Sequence, residues 1–345
     1  MTNIRYKIFP QMREYDRMKS HMSIVPFAML SGPICYKSKN IQTDDYGFRF
    51  TKFKDRYICI NDIENFNKIN FVIGGSTVFG VGSTSDNTTI SSNLSKKTGE
   101  PWFNLGIRGG IALTEYIHLI RFIHKAKKIE NIVFFSGMND IYTNMLIDTR
   151  SNFDSSFQNG IEKYSCKRKF VSYILSKVYF INQQDIIRLP FKKMIMYPFV
   201  EQTKNKKEFL TNEEQINKMF DNFKRNFLLY ASLAKQLDIK MTYILQPFVE
   251  WTEKKLSDDE ISVFKYLETL QIGTEWKTTK NKLTKELYDR INSFLSNESN
   301  KVNINFIDSH SFYKTNETLF VDAVHLNDYG CEITSDFILN NIEKD

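Results

Sequence analysis

Short apolar runs that stop abruptly at turn residues set the rhythm of this chain. Phe71-Val72-Ile73 ends at Gly74-Gly75-Ser76, and Ile132-Val133-Phe134-Phe135 ends at Ser136-Gly137-Met138-Asn139-Asp140. Residues 102–106, 240–245 and 304–308 read as further short strands. Such a run, apolar at consecutive positions and closed by turn residues, predicts a strand buried on both faces of a parallel sheet. Between the runs the apolar spacing becomes helical. Ile90 and Leu94 mark a helix over 88–97, and Leu113, Tyr116, Ile117, Ile120 and Ile123 mark one over 112–128. Thr211-Asn212-Glu213-Glu214 has the form of a capping box. It opens a stripe of Ile216, Phe220, Phe223, Phe227, Tyr230, Ala234 and Leu237. Further helices are predicted over 282–295 and 329–342. Strands that alternate with helices imply right-handed crossovers and parallel pairing. The expected architecture is a three-layer α/β domain whose parallel sheet has about five strands.

Around this frame lie segments of other character. Residues 1–68 read as an irregular, aromatic-rich N-terminal extension packed on a main domain of 69–345, with a short strand at 56–60. Two insertions interrupt the main domain, at 145–205, with a helix over 170–181, and at 249–280. A connection as long as the first is uncommon unless it has a function.

Bulk properties narrow the function classes. The chain has 345 residues, 41% hydrophobic and 25% charged, which is ordinary for a globular protein. Its formal charge is +7, but Lys and Arg are interspersed with Asp and Glu. No basic face or nucleic-acid motif stands out, so nucleic acid is not an expected partner. Cys35, Cys59, Cys166 and Cys331 are far apart and form no CxxC pair. That argues against structural zinc and a disulfide framework, and for a reducing compartment. No leader with a 7–15-residue apolar core and no run long enough to cross a membrane is found, so the expected location is the cytoplasm. The oligomeric state is left open.

The chemistry gathers at strand ends. Ser76 follows the first strand, Gly109 the second, Asn139 the third, and Asp322 and His325 the fifth. In parallel strands these ends share one edge of the sheet, where open α/β sheets bind ligands. Acyl transfer needs that set. A serine hydroxyl requires a base, and neutral histidine is suited to the task. The histidine requires an acid to set its tautomer, and Asp322 stands three residues before His325. The backbone N–H of Ser76, the N–H of Gly109 and the Asn139 amide are candidate donors to an oxyanion. Asn139 is also a candidate helix N-cap, and Asp140 a first-turn residue facing the helix dipole. Arg108 either binds an anionic substrate or makes a surface ion pair. Trp251 and Trp276 are candidates for stacking on sugars or for the core. His21, His118, His124 and His310 are read as structural.

Gly74-Gly75-Ser76-Thr77, Asn104-Leu105-Gly106-Ile107-Arg108-Gly109, Gly137-Met138-Asn139-Asp140 and Asp322-Ala323-Val324-His325 resemble, in order, the four blocks of the SGNH (GDSL-type) hydrolases. The blocks span 71–330. The resemblance implies a flavodoxin-like sheet, a Ser76–His325–Asp322 triad, an oxyanion hole of Ser76, Gly109 and Asn139, and no metal or organic cofactor. Two positions depart from the family motif: Gly75 stands where it has Asp, and Thr77 where it has Leu. Tyr46-Gly47-Phe48-Arg49 and the Gly-Gly-Ser-Thr variant look similar to family members of bacterial surface-polysaccharide pathways. The expected function is a serine esterase that removes a small acyl group, acetyl above all, from a carbohydrate ester. The alternatives are a carbohydrate O-acyltransferase with the same triad, a lipase or thioesterase, and a non-catalytic glycan-binding protein.

Overall fold

The computed structural model describes residues 3–18, 23–25, 29–146, 210–271 and 275–342. Five strands form the central sheet: β1 (Ile69–Gly74), β2 (Trp102–Gly106), β3 (Ile129–Ser136), β4 (Lys240–Leu245) and β5 (Asn305–Asp308). Their spatial order is β2-β1-β3-β4-β5. All four pairings are parallel. This is the flavodoxin-like doubly wound order, in which the chain reverses direction between β1 and β3. The register aligns the carboxyl ends: Gly74 pairs with Gly106 and Phe135, Ser136 with Leu245, and Leu245 with Asp308.

The consecutive apolar residues of each strand divide by parity, because strand side chains alternate between faces. Phe71, Ile73, Phe103, Leu105, Ile132, Phe134, Met241 and Tyr243 enter one core with the helices Ala112–Phe122, Asn212–Leu237 and Lys285–Val302. Val72, Trp102, Val133, Phe135 and Ile244 enter the other with Ile90–Thr98 and Asp328–Ile342. Both sheet faces are thus covered, which is why the central strands carry runs of consecutive apolar residues such as Phe71-Val72-Ile73 and Ile132–Phe135.

The chain divides into a unit of 1–145 and 216–345 and a unit of 146–215. Sheet, cores and candidate site belong to the first. In the second, the Thr211 N–H donates to Glu214 Oε2 (2.7 Å) and the Glu214 N–H to Thr211 Oγ1 (3.3 Å), the reciprocal bonds of a capping box. The expected helix over 170–181 and most of the insertion at 145–205 lie outside the described residues.

Some boundaries differ from expectation. The helix expected to reach 128 stops at Phe122 and passes through a 3₁₀ turn, Ile123–Lys125. Ile129 is already paired with Ile69, so the ladder claims the residues that further helix would use. The helix expected over 282–295 runs Lys285–Val302. Thr284 caps its start by accepting the Leu287 N–H, and Asn303, left-handed at φ 57°, ends it. The first 68 residues are less irregular than expected. They hold the helices Ile4–Ile8 and Met12–Met18 and two antiparallel hairpins, Ser23–Val25 with Met29–Ser31 and Thr51–Phe53 with Arg56–Ile58. Helices of one or two turns carry too little periodicity to be read in sequence and rely on packing. Phe9, Met12, Tyr15 and Met18 bury themselves against Phe79, Val81, Val263 and Val321.

Candidate active site

Ser76 opens a single helical turn, Ser76–Phe79, directly beyond β1. The turn is tethered at both ends. The Phe79 N–H donates to the Gly75 carbonyl (3.1 Å), and Gly80, left-handed at φ 88°, closes it. Its first N–H groups have no carbonyl partner within the turn. Thr77 explains its own departure from the family motif. Its hydroxyl donates to the Val324 carbonyl (3.1 Å) and accepts from Gln246 Nε2 (2.8 Å). Gln246 also donates to the Val324 carbonyl (3.2 Å). The residue after the nucleophile candidate therefore ties that turn to the loop that carries His325.

Asp322 and His325 sit on this loop, which precedes the helix Asp328–Ile342. Asp322 Oδ1 accepts the backbone N–H groups of Val324 (3.1 Å) and His325 (3.0 Å), an Asx-type turn that fixes the three-residue spacing. His325 Nδ1 lies 2.8 Å from both carboxylate oxygens. His325 Nε2 lies 2.6 Å from Ser76 Oγ. An ionised carboxylate only accepts, so Nδ1 carries the proton and Nε2 accepts from the serine hydroxyl. Burial pushes the Asp322 carboxyl upward. Its contacts with His325, then Arg5 and the Val324 N–H, outweigh that and hold it well below the usual carboxylate range.

Asn139 and Gly109 flank the same edge. The segment 107–110 is a turn closed by the Gly110 N–H on the Ile107 carbonyl (2.9 Å), with Gly109 left-handed at φ 71°. Asn139 Nδ2 donates to the Gly110 carbonyl (2.6 Å), which leaves the amide its second N–H. Gly75 lies beneath this amide: a Cβ there would stand 2.7 Å from Asn139 Nδ2. The Asp of the family motif has no room at this position unless Asn139 moves. Asn139 is not a helix cap. It lies within the first turn of Met138–Met145. Asp140 is in that turn too, but its carboxylate accepts the Ala112 N–H (3.0 Å) and so caps the neighbouring helix.

The ends of β1 and β3, with Ser76 and Asn139 just beyond them, flank the point where the strand order reverses. The loop after β5 delivers the histidine and aspartate to the same edge. With this sheet order and four blocks at these strand ends, the architecture is decided. The chain has a flavodoxin-like α/β fold.

No protein-family model matches the chain, and no curated protein matches it. Similar solved structures include an acetyl xylan esterase, AlAXEase, at 14% identity and a TM-score of 0.37, covering 79% of this chain and 98% of that one. A carbohydrate acetylesterase family member from Sinorhizobium meliloti is similar at 11% identity and a TM-score of 0.41, covering 80% and 97%. A member of the lipolytic G-D-S-L family from Veillonella parvula DSM 2008 is similar at 10% and 0.40, covering 81% and 100%.

Other residues singled out in the sequence take different places in this fold. Arg108 Nη1 donates to the Tyr15 carbonyl (3.1 Å), tying the turn of Gly109 to the N-terminal helices. Trp251 is only 2% exposed and donates from Nε1 to the Leu283 carbonyl (2.9 Å), so it is core and not a sugar platform. Trp276 packs on Tyr142, with ring centroids 5.1 Å apart. His310 forms a second histidine–aspartate pair, Nδ1 to Asp308 Oδ1 at 2.7 Å, but its Nε2 accepts the Phe248 N–H (3.2 Å). With both nitrogens occupied, it braces the loop after β4. Among the described residues, no cluster of His, Cys, Asp or Glu is placed to hold a metal ion, and no helix is long and apolar enough to cross a membrane. Sequence reasoning missed Arg5, Gln246 and the buried pair Arg49–Asp86 (2.6 Å), because their partners are distant in the chain and no local pattern announces them.

Proposed function

We propose that this chain is a serine ester hydrolase in which Ser76 is the nucleophile, His325 the general base and Asp322 the residue that orients it. The observation that carries the reading is the unbroken contact from Ser76 Oγ to His325 Nε2 (2.6 Å) and from His325 Nδ1 to Asp322 (2.8 Å). Ser76 Oγ attacks the ester carbonyl as its proton passes to Nε2, and the resulting imidazolium is stabilised by Asp322. The tetrahedral oxyanion is held by the Ser76 N–H, the Gly109 N–H and the free N–H of Asn139. Collapse transfers the proton from Nε2 to the departing alcohol and leaves an acyl-serine. Water, deprotonated by His325, then releases the acid and restores Ser76. No step requires a metal or organic cofactor.

In this reading the acyl group is small, acetyl above all, and the alcohol is a carbohydrate. That part is supported by the motif resemblance and tested by substrate screening. The decisive experiment is intact-protein mass spectrometry after treatment with a fluorophosphonate, with Ser76→Ala and His325→Ala alongside. One adduct on Ser76, absent from both variants, is expected, and acetylated sugars are expected to be turned over. A folded wild-type chain that takes up no adduct refutes the assignment.

A further inference from the structure

The N-terminal helix Ile4–Ile8 delivers a cation to the acid of the candidate triad. Arg5 Nη2 lies 2.9 Å from Asp322 Oδ2, although 317 positions separate the two residues in sequence. The Arg5 side chain is 10% exposed and that of Asp322 17%. Oδ1 of Asp322 is occupied by the two backbone N–H groups and by His325, whereas Oδ2 meets His325 Nδ1 and Arg5. Arg5 is itself held from behind. Its Nη1 lies 3.0 Å from Asp16 Oδ2, and the Tyr6 hydroxyl donates to the same oxygen at 3.0 Å. The result is a row of alternating charge, Asp16–Arg5–Asp322, that ends on the histidine. Other titratable groups facing this row include Tyr6, Arg108, whose guanidinium feels the charge of Asp16, and, on the helix Asp258–Gln271, Tyr266.

The segment carrying Arg5 has anchors of its own. Gln11 Nε2 donates to the Gly82 carbonyl (2.8 Å), and the Tyr15 hydroxyl reaches the carbonyls of Gly80 (2.7 Å) and Ser83 (2.8 Å). These bonds dock the N-terminal helices on the loop that follows the nucleophile's turn. Arg5 is therefore brought to Asp322 by packing and by bonds that do not involve Asp322.

We propose that Arg5 is a positioning residue of the active site: it fixes the rotation of the Asp322 carboxylate and thereby the plane of the His325 ring, and it offsets the charge of Asp322 felt by that ring. The proposal rests on the Ser76–His325–Asp322 reading above. Two effects follow from the geometry. A carboxylate bonded on both oxygens cannot turn freely, so the base keeps its aim at Ser76 Oγ; loss of aim lowers kcat and leaves KM largely alone. A guanidinium on the far oxygen offsets part of the carboxylate's field at the ring. The pair is nearly buried, so solvent screens it less than an exposed ion pair.

The test compares the full-length chain with Arg5→Gln and Arg5→Lys, using p-nitrophenyl acetate turnover across the acidic and neutral range, fluorophosphonate labelling of Ser76, and thermal melting. For Arg5→Gln, kcat is expected to fall about ten-fold with KM little changed, and the acidic limb of kcat/KM to move up by about one pH unit. Arg5→Lys keeps the charge without the fork, so its limb is expected to stay in place while kcat still falls. A purely structural role would lower melting without moving the limb. An Arg5→Gln variant with wild-type kcat and an unmoved limb overturns the proposal while Ser76 still labels in the parent. If Arg5→Gln does not fold, Arg5→Lys with wild-type kcat overturns it equally. A folded parent that does not label overturns the triad reading, and this proposal with it.

Discussion

Substituting Gly75 by alanine isolates one contact on which the proposed oxyanion hole depends. The Gly75 backbone is extended, at φ −78° and ψ −151°, and its φ is one that an L-residue adopts. The effect comes from the new methyl, which would stand 2.7 Å from Asn139 Nδ2. Relief to an ordinary contact requires the amide to retreat by roughly 0.7 Å, against its 2.6 Å bond to the Gly110 carbonyl. Losing one oxyanion donor altogether typically costs ~10²–10³ in kcat, and a misplacement near 1 Å can cost ~10². The expected loss for Gly75→Ala is therefore ~10–10² in kcat, about 1.4–2.7 kcal/mol, with KM and melting close to the parent. The assay is a double-mutant cycle of parent, Gly75→Ala, Asn139→Ala and the double variant, read as steady-state kcat. With Asn139 truncated there is no amide left to displace, so the second substitution is expected to have almost no effect. An equal fold-loss from Gly75→Ala in both backgrounds would refute the argument, as would a Gly75→Ala enzyme with parental kcat.

Two further outcomes concern the scaffold. Thr77→Val keeps the shape but removes the hydroxyl that serves both Val324 and Gln246, so unfolding free energy is expected to fall by ~1–2 kcal/mol, read as a lower denaturant midpoint at unchanged slope; a variant as stable as its parent contradicts the tether. Burial, with Asp140 nearby, pushes the Glu115 carboxyl up to about 8, against the opposing bond from Ser136. A carboxyl that binds its proton more tightly folded than unfolded gives stability that is intact below its unfolded value. That stability is lost as pH rises through the interval up to about 8. Glu115→Gln is expected to remove that part of the slope, so its stability relative to the parent rises with pH in chemical denaturation, and a pH-independent difference rejects the assignment.

The frame of the molecule was legible because its signals are local. Phe71-Val72-Ile73 and Ile132-Val133-Phe134-Phe135 are strands because both sheet faces are covered, and that coverage is written as unbroken apolar character. Helix ends were less legible, since they depend on caps and on where the next ladder begins. Thr284 and Asn303 moved one helix by several residues, and pairing of Ile129 shortened another. The helices Ile4–Ile8 and Met12–Met18 escaped reading because their stability comes from Phe79, Val81 and Val321, which lie far along the chain.

The sequence by itself determined the class of fold, the order of the strands along the chain, and the residues at their carboxyl ends where Ser76, Asn139, Asp322 and His325 stand. Only the tertiary structure decided which of these touch. It brought Ser76 Oγ within 2.6 Å of His325 across 249 positions and set Asn139 over Gly75. It made Thr77 a tether to Gln246 and brought Arg5 to Asp322. Strands and turns follow from the period and composition of neighbouring residues, which a chain carries in order. Contacts between side chains hundreds of residues apart follow from packing, where each partner's place is set by everything between them.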